Sequence, residues 1–444
     1  GTTRERDGSP AGELAVVIMM MTTVLALYLP GHLRTLPLLA ALVYIWLNRQ
    51  AVTVDSALKI WATLFVCYLA TFSLLAENMP TAWKGTYDIL RGCLYFFAGY
   101  FFGIKLQVAR HYPWLLLILV AVLAGSFLSY QEFPAPVARS GGFYGYHANP
   151  NNSAFVVVVV LAFVLPSLFP PRIATPGLLT GAAGTGIGLL LLYHANSRGA
   201  WLAVFLGLSV LTITSLRNNR SLLVPLVSVQ ASLLAAVLFY FNWKGFSMPV
   251  RLDAWTRLIE VTVKDHVWLG HGINNTKEVL LHAGSPVLIA HNLFVDIFVS
   301  TGIVGSLAFC ALCIGLVLIL ARNGYSTATA FNIGLCGLVM FGMISLFDLK
   351  FASLTLTGTL AFFTGVVYSR PGRTAARIQD SRQLPPGYYS ASGRPLGTRA
   401  GTTERRSSAA ESVRACRNAI RSANSGLPSC TDTSSLAAAM AARR

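Results

Sequence analysis

Uninterrupted apolar runs set the terms for this chain. Stretches of the length that crosses a bilayer core as a helix, about 20 residues, recur roughly twelve times along it. They lie at 14–30, 33–48, 55–76, 87–105, 112–130, 153–169, 176–194, 198–215, 222–241, 291–321, 326–346 and 350–369. Hydrophobic residues make up 54% of the chain and charged ones only 11%, against about a quarter in soluble proteins. The runs do not alternate with period two, which excludes a β-barrel. The expectation is an all-α polytopic membrane protein with about twelve transmembrane helices, occupying 1–369.

The net charge of +17 is uneven. Residues 370–444 hold thirteen Arg, no Lys and four acids, and so carry nine of those charges. Rich in Ser, Ala and Gly, this segment reads as a disordered basic tail attracted to an anionic cytoplasmic leaflet. Without interleaved aromatics or a folded motif it does not suggest nucleic acid. No small-residue cleavage site separates the first two runs, so the first reads as a span and not as a cleavable signal. Cys310 and Cys313 form a CxxC inside an apolar run, where small packing residues are the expectation and metal or redox chemistry is not.

Lys and Arg favour cytoplasmic loops. With the N-terminus inside, Arg49, Lys105, Arg110, Arg172, Arg217, Arg220 and Arg322 fall on the cytoplasmic side together with the tail. In the connection 242–290, acids offset the bases. Both termini are therefore expected in the cytoplasm, with 131–152, the start of the run at Arg198 and the loop 242–290 sharing the opposite, periplasmic face.

That loop and the start of the run after it, 251–305, concentrate the polar chemistry. Leu252, Trp255, Ile259 and Val263 recur at helical spacing, which predicts an amphipathic helix able to lie along the membrane with Trp255 inserted. The turn 269–272 ends it, and a shorter helix is expected near 276–281. His266, His271 and His282 lack the spacing of zinc sites, so no metal and no cofactor are expected. His291 lies where the polar loop meets an apolar run and is followed by Asn292. An imidazole is the side chain type whose unperturbed protonation equilibrium suits proton abstraction near neutrality.

Elsewhere, Arg198 follows Ser197 at the mouth of a span, where a cation opposes the helix dipole. A helix N-terminus with a guanidinium makes an anion site. Arg91 is either a headgroup anchor or the wall of an anion site, and Lys84 outside it shares the second reading. Asn149-Pro150-Asn151 marks a turn entering a span, with Asn149 and Asn151 as candidate polar lining of a sugar groove. The glycines 181, 184, 186 and 188 are expected to pack helices, since no Lys-Ser/Thr follows them.

Taken in order, SRGAW (197–201), R-x-x-x-W (251–255), DHVWLGHGIN (265–274) and HNLFVDIFVSTGIVG (291–305), with the NPN turn at 149–151, resemble the O-antigen ligase and polymerase superfamily. The resemblance runs from about 139 to 305, and the Arg-rich tail and His271 depart from its pattern. It implies a GT-C-like membrane glycosyltransferase of the bacterial inner membrane, metal-independent and inverting, with its active site in the periplasm. By motif, Arg198 and Arg251 would bind the donor diphosphate and His291 would activate the acceptor. Beside these three, the residues' own positions make Arg91, Lys84, Asn292, Asn149 and Asn151 the candidates for further substrate contacts. The implied partners are an undecaprenyl-diphosphate-linked glycan donor, a lipid A–core acceptor and membrane lipids. A polymerase or a protein O-oligosaccharyltransferase shares these motifs. A lipid-linked glycan transporter is the reading from another class, although the inverted repeats common in transporters are not visible.

Overall fold

The computed structural model describes residues 10–28, 35–48, 54–106, 112–132, 150–169, 175–195, 197–216, 220–243, 248–284, 292–322, 328–348 and 350–369. The described residues form helices and contain no strand. In order these are α1 (Pro10–Ala26), α2 (Thr35–Leu47), α3 (Ser56–Leu74), α4 (Met79–Cys93), α5 (Tyr95–Leu106), α6 (Tyr112–Glu132), α7 (Pro150–Val164, extended by a 3-10 turn), α8 (Thr175–Ala195), α9 (Arg198–Leu216) and α10 (Arg220–Trp243). There follow α11 (Met248–Asp265), α12 (Thr276–His282), α13 (Leu293–Arg322), α14 (Ala328–Asp348) and α15 (Leu354–Tyr368). Every apolar run of the sequence carries a helix. Among the described residues, five helical stretches, Ser56–Leu74, Met79–Leu106, Gly177–Ala195, Arg198–Leu216 and Leu293–Arg322, are long and apolar enough to cross a membrane, and seven shorter apolar helices accompany them.

Close helix approach depends on small residues, because lipid tails offer no hydrophobic drive for helices to associate. At the α5–α15 crossing, a Cβ on Gly99 would lie 1.8 Å from the Phe362 carbonyl oxygen, and one on Gly365 would lie 2.1 Å from that of Phe96. In α8, Gly181, Gly184 and Gly188 face Ser167, Val164 and Leu161 of the α7 arm, while Gly186 faces nothing nearby. The packing expected of that glycine set is present at three of its four positions.

One stretch folds differently from its sequence reading. The apolar run read at 87–105 is preceded by helix that its hydropathy does not announce: α4 already begins at Met79, capped where the Asn78 side-chain oxygen accepts from Thr81 N–H at 3.2 Å. Pro80 sits in the first turn, where a missing N–H costs nothing. Its buried residues Ala82, Gly85, Thr86 and Ile89 recur at helical spacing and turn one face inward.

The break in α13 organises the region around the polar loop. Gly302 has φ 64° and ψ −164°, which interrupts the helical ladder. The loop between α11 and α12 lies across this break and pairs with the backbone groups around it. His271 N–H donates to Val299 O (2.8 Å) and Gly272 N–H to Ser300 O (2.9 Å). In return, Ile303 N–H donates to Val267 O (2.9 Å) and Val304 N–H to Trp268 O (3.2 Å). Non-helical backbone within an apolar segment is tolerated only where protein satisfies it. Two motifs far apart in composition, DHVWLGHGIN and STGIVG, are thus halves of one clasp.

Candidate active site

The α11 helix turns two faces outward and inward. Ala254, Leu258 and Thr262 are buried, with Ala254 and Leu258 packing against Val279 and Leu280 of α12 and Val295 and Val299 of α13. The stripe singled out by hydrophobic spacing is the other face, where Leu252, Ile259 and Val263 are exposed. Arg257 joins Asp253 at 2.9 Å and reaches the carbonyl of Ala283 at 3.2 Å, tying α11 to the end of α12.

Arg251 lies in the first turn of α11 and Arg198 is the first residue of α9, both partly buried. The two guanidiniums are close enough for the charge of Arg251 to act on Arg198. Two like charges from separate elements, one at a helix N-terminus, form a local field suited to an anion. Ser197 at that terminus is buried, with no hydrogen-bond partner for its Oγ among the described residues.

Asn292 begins α13 as its cap: its side-chain oxygen accepts from Phe294 N–H (2.9 Å) and Val295 N–H (3.2 Å). Its amide nitrogen remains a donor. On α4, Arg91 pairs with Asp88 at 3.0 Å and lies over the Tyr87 ring, 5.4 Å from its centroid, so its charge is answered locally. Lys84 is exposed on the same helix. Asn151 belongs to the first turn of α7, but its side chain, like all of His291 and Asn149, lies outside the described residues.

Two acidic residues near this region carry more structure than their sequence positions suggest. Asp296 is fully enclosed one turn into α13; it accepts from Thr276 Oγ1 of α12 and from Phe351 N–H, just before α15. Nearby, Lys350 donates to Asn274 Oδ1 at 3.1 Å, and Asn274 donates in turn to Thr81 O at 3.3 Å. The starts of α4, α12, α13 and α15 are gathered by these contacts. The signal for Asp296 was its place as a carboxylate inside an apolar run.

The second is Glu77, in the turn between α3 and α4. Its carboxylate reaches His266 Nε2 at 2.6 Å and His271 Nδ1 at 3.2 Å. Burial holds the His271 imidazole below its ordinary pKa, while the hydrogen bond and charge of Glu77 pull the other way. Metal-ligand spacing along the chain pointed to no site among the histidines. His282 indeed bonds elsewhere, to Glu278 O at 2.8 Å, but His266 and His271 find a third donor 194 residues from His271.

Comparison with known proteins adds two findings. The family description "O-Antigen ligase" matches residues 183–310, a stretch that includes α9, α11, α12, the clasp and Arg198, Arg251 and His291. An O-antigen ligase of Pseudomonas aeruginosa is 25% identical over an alignment of 266 residues, which covers 56% of this chain and 63% of that protein. No solved structure matches. The chain is thus similar to O-antigen ligases over a segment that holds the clasp, Arg198 and Arg251, and it spans less than two thirds of the length of the curated relative it matches.

Proposed function

We propose that the protein is an O-antigen ligase: an inner-membrane glycosyltransferase that moves a glycan from undecaprenyl diphosphate to a sugar hydroxyl of lipid A–core. Twelve spans, cytoplasmic termini and a periplasmic active site complete the reading, supported by the helical runs and the charge bias of their connections. The observation that supports it is the approach of Arg198 and Arg251, two cations from separate helices that we read as the seat of a diphosphate.

In the proposed reaction the bond between the anomeric carbon and the diphosphate oxygen breaks as the acceptor hydroxyl attacks from the opposite face, inverting that carbon. Negative charge grows on the leaving diphosphate. Two guanidiniums aimed at it stabilise that charge without a metal. His291 takes the hydroxyl proton, a contribution of about 10²–10⁴-fold for a positioned base. Holding two lipid-anchored substrates in register adds the entropic gain of orientation.

The test uses purified protein, a labelled lipid-linked donor and lipid A–core. Transfer is expected with the wild type and absent with His291→Ala at equal protein level. Normal transfer by that variant removes the assigned base. Extension of a second lipid-linked glycan, or labelling of a protein acceptor in place of lipid A–core, makes the chain a polymerase or a protein transferase instead.

A further inference from the structure

Glu77, His266 and His271 meet although they belong to two separate connections, and none of the three has a part in the proposed glycan transfer. One ligand atom from each lies within 4.8 Å of the other two. A tetrahedral zinc ion, with bonds of about 2.1 Å, sets its ligands roughly 3.4 Å apart. The separations of 2.6 and 3.2 Å, each to a different oxygen of the Glu77 carboxylate, are somewhat shorter than that spacing, so the three side chains need only spread slightly to admit an ion.

The backbone holds the donors in place before any ion arrives. Gly270 N–H donates to the His266 carbonyl at 2.8 Å, closing a turn that brings the two imidazoles to a centroid distance of 4.4 Å. The His271 carbonyl accepts from Glu77 N–H at 3.3 Å and from Asn275 Nδ2 at 2.7 Å. His271 is 4% exposed and its Nε2 has no partner among the described residues. One 3.2 Å hydrogen bond is a small return for burying an imidazole, and a metal–nitrogen bond returns far more.

We propose that these three side chains bind a divalent transition ion of the zinc class, which clips the α3–α4 turn to the loop that spans the α13 break. Two imidazoles and one carboxylate suit zinc and its neighbours and disfavour calcium or magnesium, which take oxygen ligands. Binding displaces the protons held between Glu77 and the two rings, leaving a fourth position for water. The ion is structural in this account, and the transfer chemistry does not pass through it.

Chelator-treated protein, purified without a histidine tag, is titrated with Zn²⁺ by calorimetry, and bound zinc is counted by elemental analysis. One tight equivalent per chain is expected, with a rise in thermal midpoint. Glu77→Gln, at an exposed position, and His266→Ala, at a half-buried one, should each weaken binding by more than ~100-fold, beyond the 10–100-fold typical of residues that only support ligands. His282→Ala should leave it unchanged. Absence of a tight equivalent in the wild type, or unchanged affinity in both variants, overturns the site. Glycan transfer is assayed separately in chelator, so loss of the zinc site and failure of the ligase reading are distinguishable.

Discussion

Gly302 of α13 packs face to face with the backbone of Trp268: a Cβ placed on it would lie 2.4 Å from the Trp268 carbonyl carbon. Its φ of 64° is equally unsuited to a side chain. Gly302→Ala is therefore expected to strain the clasp twice, through the torsion and through the clash. The cost should be about 1–3 kcal/mol for the torsion alone, with loosening of the four hydrogen bonds across the break adding to it. A thermal melt in detergent, with limited proteolysis directed at 266–272, reads both effects. A variant as stable and as protected as the wild type would show that the break is not held by this contact.

Asp296 makes a second prediction about stability. Replacing it with Ala leaves Phe351 N–H and Thr276 Oγ1 buried without their acceptor, at about 1–3 kcal/mol for each orphaned group. Asp296→Asn keeps one acceptor oxygen and should retain part of the stability. The order wild type, Asn, Ala in thermal midpoint is the expected outcome. Equal midpoints for Asn and Ala would mean that the acceptor geometry contributes nothing.

How much of this was legible in the sequence depends on the range of the interaction involved. Helices follow from local hydrophobicity, so every apolar run from α1 to α15 could be read directly. Arg198 could be singled out because a cation in a first helical turn is locally anomalous, whereas Arg251 stood out only through the R-x-x-x-W motif of the family resemblance. The inward face of α11 could not: Ala254 and Thr262 are weak hydrophobic signals, and Leu252, Ile259 and Val263, the stronger ones, stay exposed. The first half of α4, ahead of the run that starts at 87, was hidden by Pro80 and by its polar face. The pairing of Glu77 with His266 and His271 joins residues nearly two hundred positions apart, a distance over which no spacing rule operates.

Asn292 separates capping from substrate contact. Asn292→Ala removes the acceptor for two N–H groups at the start of α13 and should cost about 1 kcal/mol. Asn292→Asp preserves that acceptor and places a negative charge at a helix N-terminus, where it is favourable. The Asp variant should match the wild type in thermal midpoint. If glycan transfer also survives, the residue acts as a cap. A stable Asp variant with at least tenfold slower transfer assigns the lost amide donor to the substrate.

Arg198 and Arg251 are the strongest test of the proposed diphosphate seat, because two groups that grip one anion cannot act independently. Lysine keeps the charge but loses the planar fork that engages two phosphate oxygens at once. Arg198→Lys and Arg251→Lys should each lower kcat/KM by about 10²-fold, the scale on which a single transition-state donor contributes. The double variant should lose markedly less than the product of the two single losses, since removing either guanidinium already spoils the shared site. Transfer rates measured over a donor series, with the acceptor saturating, give all four corners of this cycle. Strict multiplicativity would mean that the two arginines contact different parts of the substrates, and the diphosphate seat would then have to be drawn around one of them alone.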